Sequence, residues 1–476
     1  MRNDHAIDVI SKEADTHVFV RYPIPYCPVT SAALQTQPQQ SGWVRRWVAR
    51  APVDLIGWIL LAGAGIGLTA LAVHGGARLG TASAPFLGHY RVQVSPLSLL
   101  APAVAIVFLG AWPALRRLPW VALLLVSYVA AVLWAIALAL VDGTAGLTKS
   151  LLDPSNYAPD VAMVDDHPAH YIATYTSNIA GHSIAARGHP PGSVMLLWAF
   201  ERAGVRDQLT LAVFITALAT LTVPLVLYCV RSVCGEVTAR RYAPILVLAP
   251  YAIWVAVSMD AVVAMLGAAM CAAGVFASAR HRHGFVAAGW SVVAGMLIGF
   301  AAMFSYAVVW LGLSVVLLYF ARRRAFLNIG TGIGALVPIF IANRLGFGWL
   351  DGLAAANSDF AARIEPFRSA PWWAILSIVA LILAAGPPLF ASARKLRNTP
   401  AWPFLIGAAV AVLFSVFAGL ARGGVEAAWL PFFPWLTVAA VAPESQGGDP
   451  PSMPWTLVIG GAIVALVIEA VLATPW

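Results

Sequence analysis

The chain has 476 residues, of which 60% are hydrophobic and only 11% are charged. A water-soluble globular domain carries about 25% charged residues, so this composition excludes an ordinary soluble protein. The formal net charge of +8 derives almost wholly from arginine, and no basic stripe indicates a nucleic-acid partner. Apolar runs of about 20 residues, the length that crosses a bilayer core, recur along the chain. The sequence therefore predicts an all-α polytopic membrane protein whose partner is the lipid bilayer.

Residues 1–43 are mixed and polar, without the apolar segment and cleavage site of a signal peptide. We expect a disordered cytoplasmic tail, followed by a single transmembrane domain over 44–476. Arg45, Arg46 and Arg50 precede the first apolar run. Because loops on the cytoplasmic side are enriched in Lys and Arg, these three arginines predict that the N-terminus lies inside. Arginine in place of lysine, with abundant Ala, Gly and Val, suggests a high-GC bacterial genome, and together with the apolar runs it predicts a multi-pass protein of a bacterial plasma membrane.

The apolar runs and the arginine clusters together predict about thirteen transmembrane spans. The predicted spans are 52–74, 97–115, 119–141, 208–230, 242–258, 260–279, 285–302, 305–321, 326–343, 372–391, 402–420, 429–442 and 455–473. This arrangement leaves the arginine clusters at 116–117, 231–241, 280–282, 322–324 and 394–397 on the cytoplasmic side. The acidic and His-rich segments fall on the opposite, extracytoplasmic side, where we expect the chemistry.

The longest polar interruption is the predicted external catalytic loop 142–206. A helix is predicted from about Pro168 to Ile179, with Asp166 as its N-cap or as a functional acid. The apolar run 193–200 is too short to span and predicts a re-entrant or interfacial helix. The alternative is a short shielded span followed by a cytoplasmic turn at Glu201, Arg202 and Arg206.

Two segments of this loop carry candidate chemistry. Asp166, with Asp165, is a candidate general base or a ligand of a divalent metal ion, and the alternative is a solvated loop acid. In His189-Pro190-Pro191-Gly192 the proline pair fixes the backbone, and Gly192 permits close approach of another backbone or of a ligand. The following helix N-terminus favours a phosphate, whereas the alternative for this motif is a membrane-entry turn.

Ionisable residues outside the loop add further candidates. Asp260 stands between two apolar spans, which indicates either a functional group or a helix cap. Arg422 is a candidate phosphate ligand, and Glu426 is a candidate for binding a sugar or Arg422 itself. A mutual salt bridge between them is an equal alternative. Trp429 is a candidate to stack on a sugar.

Motif absences narrow the chemistry. The sequence contains no Walker motif, no GxGxxG after a strand, no HExxH and no GxSxG. The four cysteines show neither metal spacing nor a disulfide framework. An extracytoplasmic enzyme would lack cytosolic nucleotides, so an activated substrate would have to arrive on a lipid.

The motifs resemble a known superfamily. An acid, then Tyr171 and Tyr175 on an amphipathic helix, then His189-Pro190-Pro191-Gly192 opening an apolar helix, is similar to the lipid-phosphosugar-dependent glycosyltransferases of the GT-C superfamily. The chain looks most like actinobacterial integral membrane proteins with a His-Pro-Pro-Gly loop and a later Glu…Trp-Leu-Pro-Phe segment, here beginning at Glu426. The motif region covers about a tenth of the chain, and the rest agrees with the superfamily in topology.

The resemblance implies a GT-C-like bundle and an inverting transfer from a polyprenyl-phosphate sugar to a glycan, lipid or protein acceptor of the cell envelope. Asp166 or Asp165 would be the base, and His189 with Arg187 would line the phosphate site. Tyr171 and Tyr175 would contact substrate. Superfamily members place the acid soon after their first span, whereas here two further spans precede it. Asp153 and Asp160 therefore stay open as the base. The rival functions are a transporter or polymerase of lipid-linked glycans and a non-catalytic membrane partner.

Overall fold

The computed structural model describes residues 52–446, 448 and 452–474. The predicted tail at 1–43 lies outside the described residues. The described chain is helical almost throughout. Its strands are β1 (His89–Tyr90) and β2 (Leu472–Ala473), which pair antiparallel with His89 opposite Ala473. The predicted all-α class is confirmed.

The α-helices of the described residues are divided into two groups in sequence order. The first group is α1 (Val53–His74), α2 (Leu100–Leu115), α3 (Trp120–Ala139), α4 (Ala145–Leu152), α5 (Ala158–Val164), α6 (Pro168–Thr174), α7 (Ile184–Arg187), α8 (Gly192–Arg202), α9 (Gln208–Thr220), α10 (Thr222–Cys234) and α11 (Glu236–Val247). The second group is α12 (Met259–Ala277), α13 (Gly284–Ala301), α14 (Gly312–Ala321), α15 (Leu327–Arg344), α16 (Trp349–Arg363), α17 (Ala370–Ala385), α18 (Pro387–Arg394), α19 (Trp402–Phe417), α20 (Val425–Ala428), α21 (Phe433–Leu436) and α22 (Trp455–Val471). Short 3₁₀ helices join several of them.

Six helical segments of the described residues are long and apolar enough to cross a membrane. They are Val53–His74, Pro96–Leu115, Trp120–Asp142, Gln208–Cys234, Met259–Ala277 and Gly284–Ala301. The count becomes eight when each of two bent helix pairs is taken as one span. Three shorter apolar helices, Ala307–Ala321, Trp402–Phe417 and Trp455–Val471, coincide with further predicted spans. The protein is therefore a polytopic membrane protein.

Two predicted spans, 242–258 and 429–442, are wrong as continuous helices. The first consists of the end of α11 and a 3₁₀ helix, Pro250–Trp254; the second consists of α21 and a 3₁₀ helix, Val438–Val441. Residues 242–254 and 429–442 are all buried. Irregular backbone is tolerated at membrane depth where protein surrounds it. Hydropathy cannot separate such a segment from a helix that faces lipid.

The two bent pairs have identifiable causes. α15 and α16 meet at 77°, and Gly346 between them has φ +96°. α17 and α18 meet at 102°, where Gly386 at φ +68° precedes Pro387, whose ring cannot continue a helix. The first bend places α16 between the predicted spans 326–343 and 372–391, and this connecting segment is therefore largely helical.

The two ends of the bundle differ in charge, as the alternation of segments predicts. At one, the arginine end, the Arg240 guanidinium donates to the carbonyls of Arg116 and Leu118, and Arg322 donates to Ser232. Arg394 pairs there with Asp54. The other, the loop end, carries the segment 142–206 with its acidic and histidine residues. The segregation of arginine clusters from acidic segments therefore holds in three dimensions.

The helix α12 lies at the centre of the bundle. Its apolar window is 78% buried, against 22% for α1. An added Cβ at Gly267 or Gly274 would press on Leu311 or Val315. Small residues permit such close helix contacts, which drive association where lipid is as apolar as the side chains. The first turn of this central helix faces the loop end and carries Asp260.

Candidate functional site

The loop 142–206 folds into the short helices α4 to α8 and a 3₁₀ turn. The helix predicted from Pro168 to Ile179 ends earlier, at Thr174, and its N-cap is His167 rather than Asp166. α8 has 11 residues, as expected of a helix too short to cross a bilayer. Beyond its C-terminus, Arg206 lines the same cavity as His189. Both ends of α8 therefore lie at the loop end, which favours the re-entrant interpretation over a cytoplasmic turn.

A buried carboxylate organises the interior of this loop. Asp160 is fully buried, its Oδ1 lies 2.6 Å from His182 Nδ1, and its Oδ2 accepts a hydrogen bond from the Ser183 amide at 3.0 Å. The Tyr171 hydroxyl also donates to Asp160, at 3.2 Å. Burial opposes ionisation, but the hydrogen bonds from His182 and Ser183 hold the pKa of Asp160 below its ordinary value. Asp160 is thus saturated with internal partners, and Tyr171 is one of them.

The second loop tyrosine holds the Pro-Pro corner. The Tyr175 hydroxyl lies within hydrogen-bond distance of two carbonyls, at 2.6 Å from that of Ala186 and 2.9 Å from that of His189. The His189 ring donates through Nδ1 to the Ala185 carbonyl at 2.8 Å, since a carbonyl can only accept. The ring is thereby fixed with Nε2 pointing away from its own segment. Tyr175 is 1% exposed, so it positions the corner from beneath.

Gly192 makes the close backbone approach that its position predicts. Its amide donates to the Met303 carbonyl at 2.8 Å, and a Cβ built on it would lie 2.3 Å from the same oxygen. The partner is therefore the backbone between α13 and α14. At Gly188, four residues earlier, the nearest atom to an added Cβ is the Ala185 carbonyl oxygen at 3.9 Å.

A cavity of about 540 Å³, here named the polar cavity for the ionisable and polar groups set into its largely apolar lining, opens between the loop and the bundle. It is bordered by α5, α8, the start of α12 and the glycine pair 423–424. Its ionisable and polar residues include Asn156, Tyr157, His189, Glu201, Arg206, Gln208, Ser258 and Asp260. This is where the structure collects functional groups from distant parts of the chain.

His189 and Asp260 face each other across this cavity. His189 Nε2 lies 3.7 Å from Asp260 Oδ1, and the side chains are 27% and 21% exposed. Burial lowers the pKa of His189, but Asp260 and the Ala185 carbonyl outweigh it, so the net shift is upward. Because Nδ1 already carries a proton, Nε2 faces the carboxylate favourably only in the imidazolium form. The pair can therefore supply a cation and a carboxylate side by side.

The backbone around Asp260 is held in an unusual conformation. Val257 has φ +59°, which a β-branched residue rarely adopts. Its amide donates to Thr216 Oγ1 at 3.1 Å, and Ser258 caps α12 by accepting from the Ala261 amide. Residues in such strained conformations cluster at functional sites. Here the strain lies next to the residues that present Asp260 to the cavity.

An apolar groove of about 790 Å³ lies on the other side of α8. Pro191, Met195, Leu196 and Ala199 of the corner and α8 line it, together with residues of α13 and α15 and Phe347. Leu197 and Glu201 of the same helix line the polar cavity. One short helix thus separates an apolar groove from a polar cavity, and His189-Pro190-Pro191 stands where the two meet.

Asp165 and Asp166 line neither space. Asp165 has φ +45°, and its carbonyl accepts from Trp198 Nε1 at 2.8 Å and from Arg202 at 2.9 Å. The Asp166 carboxylate forms an ion pair with Arg202 and is 68% exposed. Both acids are therefore at the outer surface of the loop, near the C-terminus of α8.

The remaining predicted residues form a separate set of contacts. Arg187 lies 3.8 Å from Asp359, and Arg422 pairs with Glu365 at 2.8 Å. The mutual salt bridge offered for Arg422 and Glu426 is therefore wrong. Trp429 is 3% exposed, with its Nε1 bonded to Ser415 Oγ at 3.2 Å.

Glu426 lies behind the wall of the polar cavity. It is 0% exposed; its Oε1 accepts from the Leu87 amide at 2.8 Å, and its Oε2 has no hydrogen-bond partner. Burial raises its pKa to about 7, against the hydrogen bond from Leu87 and the nearby Arg368. Its neighbours Ala427 and Ala428 line the cavity, while Glu426 itself does not.

Two residues that line the cavity were not proposed as site residues from the sequence. Arg206 is the one Arg or Lys among the described residues that line the polar cavity, and its side chain makes no hydrogen bond or ion pair in the described chain. The available signal was an arginine on the predicted external side. The ring centroids of Tyr157 and His189 lie 6.3 Å apart. Burial, and to a smaller extent the negative charge of Asp260, raises the pKa of Tyr157. It is therefore a neutral hydroxyl beside the pair.

No group of three or more His, Cys, Asp or Glu side chains in the described segments is arranged to hold a metal ion. Mg²⁺ is commonly held by one or two carboxylates together with substrate phosphates. A divalent ion at this site would arrive with a phosphate, and its involvement stays a prediction.

Comparison with known proteins adds one structural similarity. No protein-family model and no curated protein matches the chain. Among solved structures, the crystal structure of ArnT from Cupriavidus metallidurans in the apo state is similar at 17% sequence identity and a TM-score of 0.39. The similarity covers 57% of this chain and 53% of that one. The chain thus spans about half the length of that structure, and the similarity assigns it no activity, donor or acceptor.

Proposed function

We propose that the protein is an extracytoplasmic glycosyltransferase of the GT-C type that moves a sugar from a polyprenyl-phosphate donor to an envelope glycan, lipid or protein acceptor. The observation that carries the proposal is the position of α8, with an apolar groove on one side and a polar cavity on the other. A lipid-linked sugar needs both surfaces at once. The motif resemblance points in the same direction.

In this proposal the isoprenoid chain of the donor occupies the apolar groove. The groove is open at its side and lined almost wholly by apolar side chains of α8, α13 and α15. The donor phosphate then lies at the Pro-Pro corner, where the groove meets the cavity. His189, cationic beside Asp260, and the unpaired Arg206 neutralise it.

The acceptor hydroxyl enters the polar cavity and loses its proton to the Asp260 carboxylate. Its oxygen forms a bond to the anomeric carbon as the bond from that carbon to the lipid phosphate oxygen breaks. The polyprenyl phosphate leaves with the electron pair, and attack from the opposite face inverts the configuration. Charge developing on the leaving phosphate is met by the imidazolium of His189 and the guanidinium of Arg206, which is electrostatic stabilisation.

Asp260 is preferred to Asp166 as the base because it lines the cavity. Asp166 is paired with Arg202 at the surface of the loop. To act as the base it would have to exchange this pairing for substrate when the donor binds. Asp166 remains the alternative base, and the same assay separates the two.

The test measures sugar transfer by purified protein in lipid nanodiscs with a synthetic polyprenyl-phosphate sugar. A deletion strain first identifies the sugar that is missing from envelope glycans or glycoproteins. Loss of a general base costs about 10²–10⁴-fold in rate, so Asp260→Asn should lose transfer even at a pH low enough for His189 to stay protonated and bind the donor. Asp351→Asn, an exposed acid at the same end outside the cavity, is the matched control.

Three outcomes bear on the proposal. Loss in Asp260→Asn alone supports the assignment. Loss in Asp166→Asn with retained activity in Asp260→Asn would return the base to the loop. If wild type binds the donor but transfers nothing to any acceptor, and the deletion strain accumulates whole lipid-linked glycans, the protein is a transporter or polymerase component.

A further inference from the structure

A second basic site lies at the arginine end, far from the proposed catalytic cavity. A pocket of about 720 Å³ is bordered by the C-terminal part of α10 and by the loops that follow α12 and α14, with the start of α19 on the remaining side. We name it the arginine pocket. Its charged and aromatic lining consists of Arg280, His281, Arg322, Arg323, Arg324 and Trp402.

The charge of this pocket is uncompensated. No Asp or Glu lines it, and none of its arginines forms an ion pair in the described part of the chain. Arg322 donates to neutral groups, the Val275 carbonyl at 2.9 Å and Ser278 Oγ at 3.1 Å. Arg324 likewise donates to the backbone carbonyls of Arg280 and Arg282.

Some other arginines at the same end are paired with acids. Arg240 contacts Glu236 at 2.6 Å, and Arg394 bridges Asp54 and Glu444. Acidic residues are thus present at this end, but none of them lines the pocket. A general excess of arginine on one side of the membrane accounts for the number of arginines, but not for the convergence of four of them on one concavity that no carboxylate lines.

The backbone at this pocket includes an arginine in an unfavourable conformation. Arg323 follows α14 with φ +56°, a left-handed position that helix ends usually give to Gly or Asn. The turn is closed by the Arg324 amide, which donates to the Tyr319 carbonyl at 2.8 Å. Three arginines in succession are thereby turned around one concave surface. Burial lowers the pKa of Arg322; Cys229 and Tyr228 oppose this shift, and the nearby Arg324 and Arg280 add to it. A bound anion would relieve the repulsion among the arginines.

We propose that the arginine pocket binds a phosphate-bearing anion. Several guanidinium groups that converge without carboxylate partners match the geometry of phosphate oxygens, which arginine binds in bidentate fashion. The volume exceeds that of a bare phosphate, and Trp402 offers an apolar and hydrogen-bonding wall beside the charged one. Two sources carry this chemistry: the headgroup of an anionic phospholipid, since basic pockets at helix ends bind such headgroups, and a soluble phosphate compound.

The test measures binding to the whole purified protein. In detergent, titration calorimetry with inorganic pyrophosphate probes the soluble source. In nanodiscs, native mass spectrometry compares retention of cardiolipin and phosphatidylglycerol with phosphatidylcholine. The variant Arg280→Gln/Arg323→Gln changes two exposed side chains of the pocket, and thermal unfolding checks that it is folded. The control is Arg117→Gln, an exposed arginine at the same end outside the pocket.

Each lost charge-assisted contact weakens binding by about tenfold or more. We therefore expect at least about a tenfold loss in the double variant and little change in the control. Pyrophosphate binding assigns the soluble source, and retention of anionic lipid without pyrophosphate binding assigns the headgroup. Equal losses in the pocket variant and the Arg117→Gln control, or no preference of the wild type for either anion, would overturn the proposal. None of these outcomes depends on the glycosyltransferase activity.

Discussion

His189 Nε2 lies 3.7 Å from Asp260 Oδ1, and this contact joins the Pro-Pro corner of the loop to the first turn of the central helix α12. The two residues are 71 positions apart in the sequence. The contact supports a cationic His189, because its Nδ1 proton is already committed to the Ala185 carbonyl. It gives the proposed donor site its charge and the proposed base its position.

The first prediction concerns the pH dependence of donor binding. The pKa of His189 is raised mainly by Asp260 against the effect of burial, so the imidazolium is fully present at low pH and is lost as pH rises through the raised pKa. Affinity for polyprenyl phosphate should fall over the same range. In Asp260→Asn the cause of the upward shift is gone, so the midpoint should move to lower pH.

Binding of polyprenyl phosphate by the wild type, Asp260→Asn and Asp351→Asn between pH 5 and about 9 measures this effect. Asp351→Asn should retain the wild-type midpoint. An Asp260→Asn midpoint equal to that of the wild type would separate His189 from Asp260 and remove the imidazolium from the phosphate site.

A second prediction distinguishes packing from ligand contact at Gly192. An added Cβ would lie 2.3 Å from the Met303 carbonyl oxygen, and backbone cannot move aside cheaply. Overpacking costs about 1–3 kcal/mol, so Gly192→Ala should lower the unfolding temperature in detergent. Gly188→Ala, with no atom nearer than 3.9 Å to the added Cβ, is the control and should unfold like the wild type. Unchanged stability of Gly192→Ala with loss of donor binding would assign Gly192 to ligand contact.

The buried Glu426 carries the third prediction. Burial raises its pKa from 4.5 to about 7. A carboxyl raised in the folded state contributes full stability below its unfolded pKa and loses it as pH rises through the folded one. The wild type should therefore lose up to about 3 kcal/mol between pH 4.5 and 7.5 through this group.

Glu426→Gln keeps an acceptor for the Leu87 amide but cannot ionise. The difference in free energy of unfolding between pH 5 and 8 should shrink in this variant, whatever its absolute stability. Glu365→Gln, which changes a half-exposed carboxylate on Arg422, should retain the wild-type difference. A Glu426→Gln protein with the wild-type pH dependence would mean that the carboxylate is not the titrating group.

Asp160 is the subject of the fourth prediction. Its carboxylate is bonded to His182, Tyr171 and the Ser183 amide in the loop interior. Asp160→Asn should destabilise the protein by about 1.5–3 kcal/mol through lost charged hydrogen bonds. Because its pKa is lowered on folding, this contribution is present above the ordinary Asp pKa and is lost as pH falls.

Thermal unfolding at pH 7 compares Asp160→Asn with Asp165→Asn. Asp165 is exposed, and its carbonyl rather than its carboxylate accepts the hydrogen bonds from Trp198 and Arg202. Asp165→Asn should be close to neutral. Loss of transfer in Asp160→Asn with an unchanged unfolding temperature would instead make Asp160 a candidate for the base.

The fifth prediction concerns orientation. Single cysteines at Asp166 and Asp351, both exposed at the loop end, should react with a membrane-impermeant thiol reagent in intact cells. A cysteine at Arg323, exposed at the arginine end, should react only after permeabilisation. The reverse pattern would place the loop in the cytoplasm and remove the argument for a lipid-borne donor.

Much of the architecture was predictable because lipid imposes simple rules on a chain. The apolar runs predict where the chain crosses between the two ends, and the arginine clusters predict which ends belong together. The short helix α8 was predictable from its length and its flanking prolines. The exceptions are 242–258 and 429–442, where the apolar signal was correct about burial and wrong about a continuous helix, since surrounding protein satisfies the backbone there.

The candidate site was predictable by segment but not by residue. His189, Asp260 and the Pro-Pro corner were identified by their type and by their position beside apolar runs. Their mutual contact was not, because it joins segments that local periodicity cannot relate. Asp166 and Arg422 have equally suggestive surroundings in the sequence, yet the fold pairs them with Arg202 and Glu365. Arg206, in contrast, was not proposed as a site residue from the sequence, yet the fold leaves it unpaired in the polar cavity.

By itself the sequence determined the class of the protein, most of its apolar helical segments and the end at which ionisable groups gather. These follow from the cost of placing charge and unbonded backbone in hydrocarbon, which acts on every segment separately. Only the tertiary structure decided which ionisable side chains remain accessible to a ligand in the cavity. The fold pairs the carboxylates of Asp160 and Asp166 with hydrogen-bonding and ionic partners, whereas Asp260 lies opposite His189 in a cavity. Such a partition depends on distances between remote segments, and no local pattern encodes those distances.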